Sequence, residues 1–293
     1  MTPPSANPKV EGAKFDGIFK LGIVRDMKSF ALALALAAAP LFVCAAHADQ
    51  ITGQDVSYTL SLSKLRTHAI TGATGSLHYQ VVDGCTGWAS AQRMTLIIRS
   101  ADGSLEKTVN DYTTWESKDG TRFTFSISER DDDGPTKVVE AGTASRKSEY
   151  GAGMIKYTEP TAKEVAFPAG TLFPLQHTQA LLKAGQAGQK FLAPLLFDGT
   201  SDDGAEATFI TILGHHPAQA TKWPALDGYA SSDVNIAFFP HKNQDTTPDF
   251  RTSMRYFNNA VATNVELDFG DFVMSGKVVS LQIQPSVCPA PRG

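Results

Sequence analysis

Ser61 and Lys64 have the Ser-x-x-Lys spacing of penicillin-recognising enzymes, in which the serine is the nucleophile. That chemistry needs a helix that starts at the serine and places the lysine one turn later. Here residues 56–63 alternate between apolar and polar side chains, which predicts a strand with Ser61 and Lys64 on opposite faces. No Gly-x-Ser-x-Gly, His-Glu-x-x-His or phosphate-loop motif is present, so the sequence predicts no catalytic residues and no enzyme.

An acidic segment has the spacing of a calcium loop. Counting from Glu129, carboxylates occupy positions one, three and five, Gly134 occupies position six and Glu140 position twelve. A calcium loop of this kind joins two helices, whereas this one is predicted to join two strands, and its first residue is Glu rather than Asp. We therefore expect Glu129–Glu140 to be a solvated hairpin tip that binds no calcium or other metal.

Three histidines are candidate metal ligands. His215 and His216 are neighbours at the end of a predicted strand, where consecutive side chains point to opposite faces, so we expect them in a surface loop and not on a metal. His177 falls one turn into a predicted helix without a second ligand or acid at helical spacing. A structural role is favoured for His177, and part of a binding mouth is the alternative. No cofactor is predicted.

The N-terminal residues predict the cellular compartment of the protein. Lys28 precedes an apolar stretch, Phe30–Ala46, and the small-x-small sequence Ala46-His47-Ala48 follows it, as in a secretory signal peptide. Residues 27–48 are therefore predicted to be a signal peptide cleaved after Ala48. The protein is expected in the periplasm without a membrane span.

Residues 1–26 lie upstream of this complete signal, which has its own methionine, so they are predicted to be an extension outside the mature protein. A single domain is expected for residues 49–293. This mature chain keeps 21 of the 26 Lys and Arg and 27 of the 30 Asp and Glu residues, a formal charge of −6. It has no basic stripe with interleaved aromatic residues, so a nucleic-acid partner is not expected.

The mature chain contains two cysteines, Cys85 and Cys288. An even number of cysteines in an oxidising compartment predicts a disulfide rather than catalytic thiols.

Alternating apolar and polar residues predict an all-β fold. About fourteen candidate strands follow one another at short spacing, so most connections must be antiparallel hairpins. A sheet of that length twists, and we expect it to coil into a β-spiral or open barrel that buries one face. The only convincing helix is Pro174–Gln186, around residues 174–187, which starts with proline and ends before Gly188.

Several short motifs resemble those of the EipB-like family, periplasmic cell-envelope integrity proteins of alphaproteobacteria that were long classed as a domain of unknown function. Their order and spacing carry the resemblance over residues 54–288. The motifs are Val56–Leu60, Asp83–Trp88, Phe173–His177, Gly188–Phe191, Phe197–Thr200 and Leu267–Phe272.

The resemblance implies a many-stranded antiparallel β-spiral with a disulfide between an early and a C-terminal cysteine, and Cys85 and Cys288 fit both places. It also implies a non-enzymatic role in envelope integrity, with a functional link in some members to a periplasmic tetratricopeptide-repeat protein as the expected partner. We expect the chain to be a monomer. The leading hypothesis is thus a binding or scaffolding module for another envelope component. The alternatives are a periplasmic carrier of a lipid or lipoprotein acyl chain, and a hydrolase with no recognisable motif.

Overall fold

The protein is described from a computed structural model. The described residues are 51–131, 134–239, 247–286 and 288. All of them belong to one compact unit, residues 44–293. The predicted extension and signal peptide, residues 1–48, lie outside the described residues.

Within the described residues the chain forms fifteen strands, one α-helix and one short 3₁₀ helix, Pro224–Leu226. The elements, in chain order, are β1 (Gly53–Leu65), β2 (Ile70–Asp83), β3 (Gly87–Ser100), β4 (Leu105–Ser117), β5 (Arg122–Asp131), β6 (Lys137–Arg146), β7 (Gly153–Glu159), β8 (Lys163–Phe167), α1 (Pro174–Gln186), β9 (Phe191–Leu192), β10 (Leu195–Leu196), β11 (Glu206–His216), β12 (Ser231–Phe239), β13 (Phe250–Phe257), β14 (Ala262–Asp268) and β15 (Phe272–Gln284). The all-β prediction is confirmed, and the two-residue strands β9 and β10 are too short for an alternation pattern to indicate.

All fifteen strands belong to one antiparallel sheet. Its order is β10-β11-β12-β13-β14-β15-β1-β2-β3-β4-β5-β6-β7-β8, and β9 also pairs with β11. The first strand therefore lies in the middle of the sheet, paired with β2 on one side and with β15 on the other. This pairing joins the two ends of the described chain.

The sheet coils so that its two ends approach each other. The Tyr157 hydroxyl on β7 donates to the carbonyl of Ser201, and Lys163 on β8 pairs with Asp202 at 2.6 Å. Both partners belong to the segment between β10 and β11, at the other end of the strand order. The predicted coiled sheet is thus confirmed, with loop contacts rather than a strand ladder between its ends.

The inner face is apolar, as the alternation predicted. Val56, Tyr58 and Leu60 of β1 are at most 3 % exposed, while Ser61 and Thr59 face solvent. Burial of these side chains contributes roughly 1.5–3 kcal/mol each. The period of two therefore determines which face of the strand is inside.

Helix α1 has the predicted bounds and a cap supplied from another strand. Its first residue is Pro174, and the residue before it, Phe173, offers no polar side chain to the free N–H groups. The Glu116 carboxylate on β4 accepts these hydrogen bonds from the N–H groups of Leu175 and Gln176, at 2.8 and 3.0 Å. The helix N-terminus is therefore attached to the sheet.

One half of the interior is filled with aromatic side chains, which we call the aromatic core. Each of its five phenylalanines is at most 2 % exposed, and neighbouring rings lie 5.2–6.0 Å apart. They are Phe123, Phe125, Phe167, Phe173 and Phe197. The last two lie outside the long strands, so the chain between β8 and β11 fills this half of the sheet.

Candidate functional site: a tyrosine-lined cavity

Cys85 and Cys288 form a disulfide at the rim of the sheet. Cys85 lies in the turn between β2 and β3, Cys288 follows β15, and their Cα atoms are 5.3 Å apart. The neighbouring Asp83 carboxylate accepts hydrogen bonds from the Cys85 N–H, at 2.9 Å, and from Lys118, at 2.6 Å. The disulfide therefore connects the turn to the end of the chain 203 residues later.

The prediction for His215 and His216 was wrong in part. Both residues belong to strand β11 and pair with β12, so they do not lie in a surface loop. His215 is hydrogen-bonded to Ser232 at 3.0 Å, and His216 contacts Asp233 at 2.7 Å. The strand continues past the glycine at position 214 because a register shift there absorbs it.

His177 is 5 % exposed and contacts Thr208 on β11 at 3.0 Å through Nε2. Because the Thr208 hydroxyl donates to the carbonyl of Pro194, Nε2 of His177 must be the donor in this pair. Burial lowers its pKa from 6.5 to about 4, so the ring is neutral. These contacts attach the helix to β11 and favour the structural role.

The acidic segment is a hairpin between β5 and β6, as expected. Glu129 lies opposite Lys137, and Glu140 lies in β6 opposite Ile127. Position twelve of the supposed calcium loop is thus buried in the sheet. Residues 132–133 lie outside the described residues, so the expectation for calcium at Glu129–Glu140 stays a prediction.

A cavity of 320 Å³ lies on the inner face of the sheet, beside the aromatic core. It is bounded by β1–β4 on one side, β13 and β14 on the other, and the first turn of α1. Twenty-one residues line it: Gln54, Tyr58, Leu77, Tyr79, Ser90, Gln92, Met94, Tyr112, Thr114, Pro174, Leu175, Thr178, Phe250, Thr252, Met254, Tyr256, Ala260, Ala262, Val265, Leu267 and Phe269. We call it the tyrosine cavity.

Four tyrosines line this cavity, and their hydroxyl groups differ in their hydrogen bonds. The Tyr58 hydroxyl donates to the carbonyl of Ala262 at 2.8 Å, and that of Tyr112 donates to the carbonyl of Asp198. Tyr256 is hydrogen-bonded to a threonine of α1. The Tyr79 hydroxyl has no hydrogen bond to any described residue, and burial raises the pKa of Tyr79 above its usual value, so the group stays protonated.

Gln54 provides a second unused polar group. Its side chain is 1 % exposed, and its Nε2 donates to the carbonyl of Ala260 at 3.1 Å. Its Oε1 is buried and has no hydrogen-bond partner among the described residues. A buried acceptor without a partner costs about 1–3 kcal/mol, which makes this atom a candidate contact for a bound molecule.

Apolar side chains also line the cavity. They belong to β2, β3, β13, β14 and the residue after β14: Leu77, Met94, Phe250, Val265, Leu267 and Phe269. The last phenylalanine continues a row of rings, with Phe250 at 5.5 Å on one side and Phe272 at 5.1 Å on the other. The cavity lining therefore combines hydrogen-bonding groups with an apolar surface.

Two buried ionisable residues, Arg146 and Glu116, bind the helix that lines the cavity. Arg146 on β6 donates to the carbonyls of Gly120 and Thr171 and to Oε1 of Gln176, each at 2.6 Å. Its guanidinium also lies 4.5 Å from the ring centre of Phe173. Burial raises the pKa of Glu116 to about 7, although the helix N–H bonds and Arg146 favour its charged form. These contacts fix the position of α1.

A larger cleft of 890 Å³ lies beside the disulfide. Its charged groups already have partners: Asp83 contacts Lys118, Glu116 caps the helix, and Gln176 donates to Glu149. Because the tyrosine cavity instead holds polar atoms without partners, it is the better candidate site for a ligand.

The tyrosine cavity offers hydrogen-bonding groups but no acid–base pair. None of its lining residues is Asp, Glu, His, Lys, Arg or Cys, and its serine and threonine hydroxyls have no base beside them. Ser90, for example, pairs with Thr114 at 2.5 Å. Gln54, Tyr79 and Glu116 belong to no motif that predicts a binding site. Only the place of Tyr79 in an alternating strand, on the inner face, could have indicated one of them.

Two sequence comparisons identify proteins that are similar to this chain. The EipB-like family model matches residues 45–285. The cell envelope integrity protein EipB of Brucella abortus (strain 2308) is 28 % identical over 246 residues, covering 82 % of this chain and 86 % of that protein. Neither match indicates an enzymatic activity.

A crystal structure is also similar. It is that of a beta-barrel-like protein of a domain of unknown function, DUF1849, from Brucella abortus, with a TM-score of 0.71 and 26 % identity. The match covers 80 % of this chain and 99 % of the crystallised one. Together with the matched length of the family model, it shows that this chain belongs to the EipB-like family.

Proposed function

We propose that this chain is a non-enzymatic periplasmic protein that supports cell-envelope integrity as a binding module for another envelope component. The observation that carries the proposal is the tyrosine cavity, which has unused hydrogen-bonding groups and no catalytic side chain. Homology to a cell envelope integrity protein supports the envelope role. The Cys85–Cys288 disulfide is consistent with an oxidising compartment.

Two measurements test this function. Deletion of the gene should sensitise the host to detergent with EDTA, and a plasmid copy should restore resistance. Fractionation should release the protein with the periplasm, and mass spectrometry should find Asp49 as its first residue. A deletion strain with unchanged resistance, or a chain that stays in the cytoplasm, would contradict the proposal.

The partner is a further part of the proposal, and a periplasmic tetratricopeptide-repeat protein is the expected one. In vivo crosslinking followed by affinity purification should recover such a protein with the monomeric chain. Light scattering of the purified protein should give one copy per particle. Recovery of the chain alone at native expression levels would argue against a protein partner.

A second candidate function is a carrier of a lipid or lipoprotein acyl chain. The apolar lining formed by Phe250, Leu267 and Phe269 favours it, because an acyl chain needs such a surface. Among the described residues no helix is long and apolar enough to cross a membrane. Native mass spectrometry of protein purified from the periplasm should detect stoichiometric bound lipid for a carrier, and none for a scaffold.

A further inference from the structure

Two polar groups of the tyrosine cavity remain without a partner, and they are close to each other. Val56 of β1 lies opposite Tyr79 of β2, and Gln54 is two residues before Val56 on the same face. Side chains in this diagonal relation have Cβ atoms about 7–8 Å apart or less, within reach of one small group placed between two long side chains. A single ligand group can therefore contact both.

The two groups are complementary in kind. Gln54 offers the buried acceptor Oε1, because its Nε2 is already bonded to Ala260. Tyr79 offers a hydroxyl that can donate. A ligand group that both donates and accepts, such as a hydroxyl or a primary amide, satisfies both at once. A group that only accepts would leave Oε1 of Gln54 unpaired.

The walls also restrict the charge of the ligand. The cavity is lined by no cationic, anionic or imidazole side chain, so nothing there would compensate a carboxylate, phosphate or ammonium. Moving an unpaired charge into such surroundings costs many kcal/mol, and ionisable groups neutralise instead. The part of the ligand inside the cavity must therefore be uncharged.

The volume and the apolar lining set the size of the ligand. An apolar cavity of about 150 Å³ accommodates benzene, which has six carbon atoms. The tyrosine cavity, at 320 Å³, has room for about a dozen non-hydrogen atoms on the same scale. Its apolar lining residues, among them Met94, Leu267 and Phe269, suit an aliphatic chain.

We propose, on the basis of the binding function proposed above, that the tyrosine cavity binds a neutral single-chain amphiphile. Gln54 and Tyr79 form hydrogen bonds with its hydroxyl or amide head. About a dozen of its non-hydrogen atoms fit in the cavity. The aliphatic chain lies against the wall formed by β13 and β14.

Competition for a neutral fluorophore, N-phenyl-1-naphthylamine, in the purified mature protein tests this ligand class. At pH 8, 1-decanol should displace the fluorophore at micromolar concentrations, and decanoate should be at least about 100-fold weaker, because its carboxylate would be buried unpaired. Decanoate that competes as well as decanol would overturn the proposal. So would a failure of both probes to displace the fluorophore.

Variants test the two residues. Gln54→Leu and Tyr79→Phe should each weaken decanol binding about tenfold, the value of one neutral hydrogen bond. Tyr79→Phe removes a single atom with no partner in the fold, so it remains informative if Gln54→Leu is unstable. The matched surface variants Gln282→Leu and Tyr150→Phe should bind as the wild type does. Equal affinity for Tyr79→Phe and Tyr150→Phe would refute the assigned role.

Ala262→Leu separates cavity binding from surface adsorption, because the larger side chain fills the cavity and should abolish displacement by decanol. Unchanged displacement would refute the site. The same variants in the detergent assay distinguish the two proposals. If Ala262→Leu loses decanol but protects cells fully, the ligand class stands and the binding role in the envelope fails. If decanol never binds while deletion still sensitises cells, only the ligand class fails.

Discussion

The two halves of the coiled sheet enclose their interiors by different means. Around β5–β8 the chain folds back on itself, and Phe173 and Phe197 fill the space against Phe123 and Phe125. Around β1–β4 the same inner face meets β13 and β14 across a 320 Å³ cavity whose walls keep unpaired polar atoms. Protein interiors are normally packed without such space, so the proposed ligand site lies in the second half.

The halves also differ in what stabilises them. Aromatic packing holds the first half, while the disulfide lies at the rim of the second, between the β2–β3 turn and the end of β15. A cavity lowers the packing energy of the folded state. A disulfide between distant residues offsets part of this loss, because it restricts the unfolded chain. Helix α1, with its cap on β4 and its contact to β11, lies where the two halves meet.

The largest effect is expected in the aromatic core. Phe123→Ala removes a ring that is 0 % exposed and contacts three other rings, so the free energy of unfolding should fall by about 3–5 kcal/mol in urea titrations. The control Phe209→Ala, on the outer face and 42 % exposed, should cost about 1 kcal/mol or less. Similar losses in the two variants would mean that this half is not densely packed.

The disulfide should contribute the next largest amount. A cross-link over 203 residues restricts the unfolded chain by up to about 5 kcal/mol in the loop-entropy model, and we expect about half of that, 2–3 kcal/mol. Cys85→Ser and Cys288→Ser should each lower Tm by about 5–10 °C. The double variant should be no less stable than either single one. Additive losses, or two titratable thiols in the untreated protein, would contradict the bond.

The sequence predicted the elements well because local patterns determine them. Alternation in Val56–Leu62 gave the inner face of β1, and Pro174 gave the start of α1. The cysteine count together with the predicted oxidising compartment predicted the disulfide. Each of these predictions depends on residues near one another or on the chemistry of a compartment.

The arrangement of the interior could not be predicted in this way. Alternation places Tyr79 and Phe123 equally on the inner face, but whether a side chain meets another ring or a cavity depends on how the sheet curves. The pairing of β1 with β15 joins segments some 220 positions apart, as in Tyr58 opposite Val278, and no local pattern encodes it. His215 was misplaced because the predicted strand was expected to end just before it, whereas a register shift lets β11 continue to pair with β12 through His216.

The pH dependence of stability tests whether water is excluded from the contact between α1 and β11. His177 is neutral when folded, with its pKa lowered to about 4, so the unfolded chain takes up a proton first as pH falls from about 6.5 to 4. Its contribution to the free energy of unfolding should therefore decrease by roughly 1–2 kcal/mol between pH 7 and 5. Glu116, with a pKa raised to about 7, acts in the opposite direction.

The difference between the wild type and His177→Gln isolates the histidine. The variant should be less stable at pH 7, and the gap should narrow by pH 5, as measured by urea unfolding at both values. A gap that is constant with pH would show that solvent reaches His177 and that α1 is not tightly packed on β11.

The smallest expected effect on stability comes from removing one hydroxyl oxygen from a tyrosine that lines the cavity. Tyr58 and Tyr79 lie on neighbouring strands and face the same cavity, but only the Tyr58 hydroxyl has a partner, the carbonyl of Ala262. Tyr58→Phe leaves that carbonyl without its donor and should cost about 1 kcal/mol. Tyr79→Phe removes a hydroxyl with no hydrogen bond among the described residues, so the free energy of unfolding should stay within about 0.5 kcal/mol of the wild type. Both are measured by urea unfolding without ligand. If Tyr79→Phe is the more destabilised of the two, its hydroxyl already has a structural partner, and the cavity is less available to a ligand than its geometry indicates.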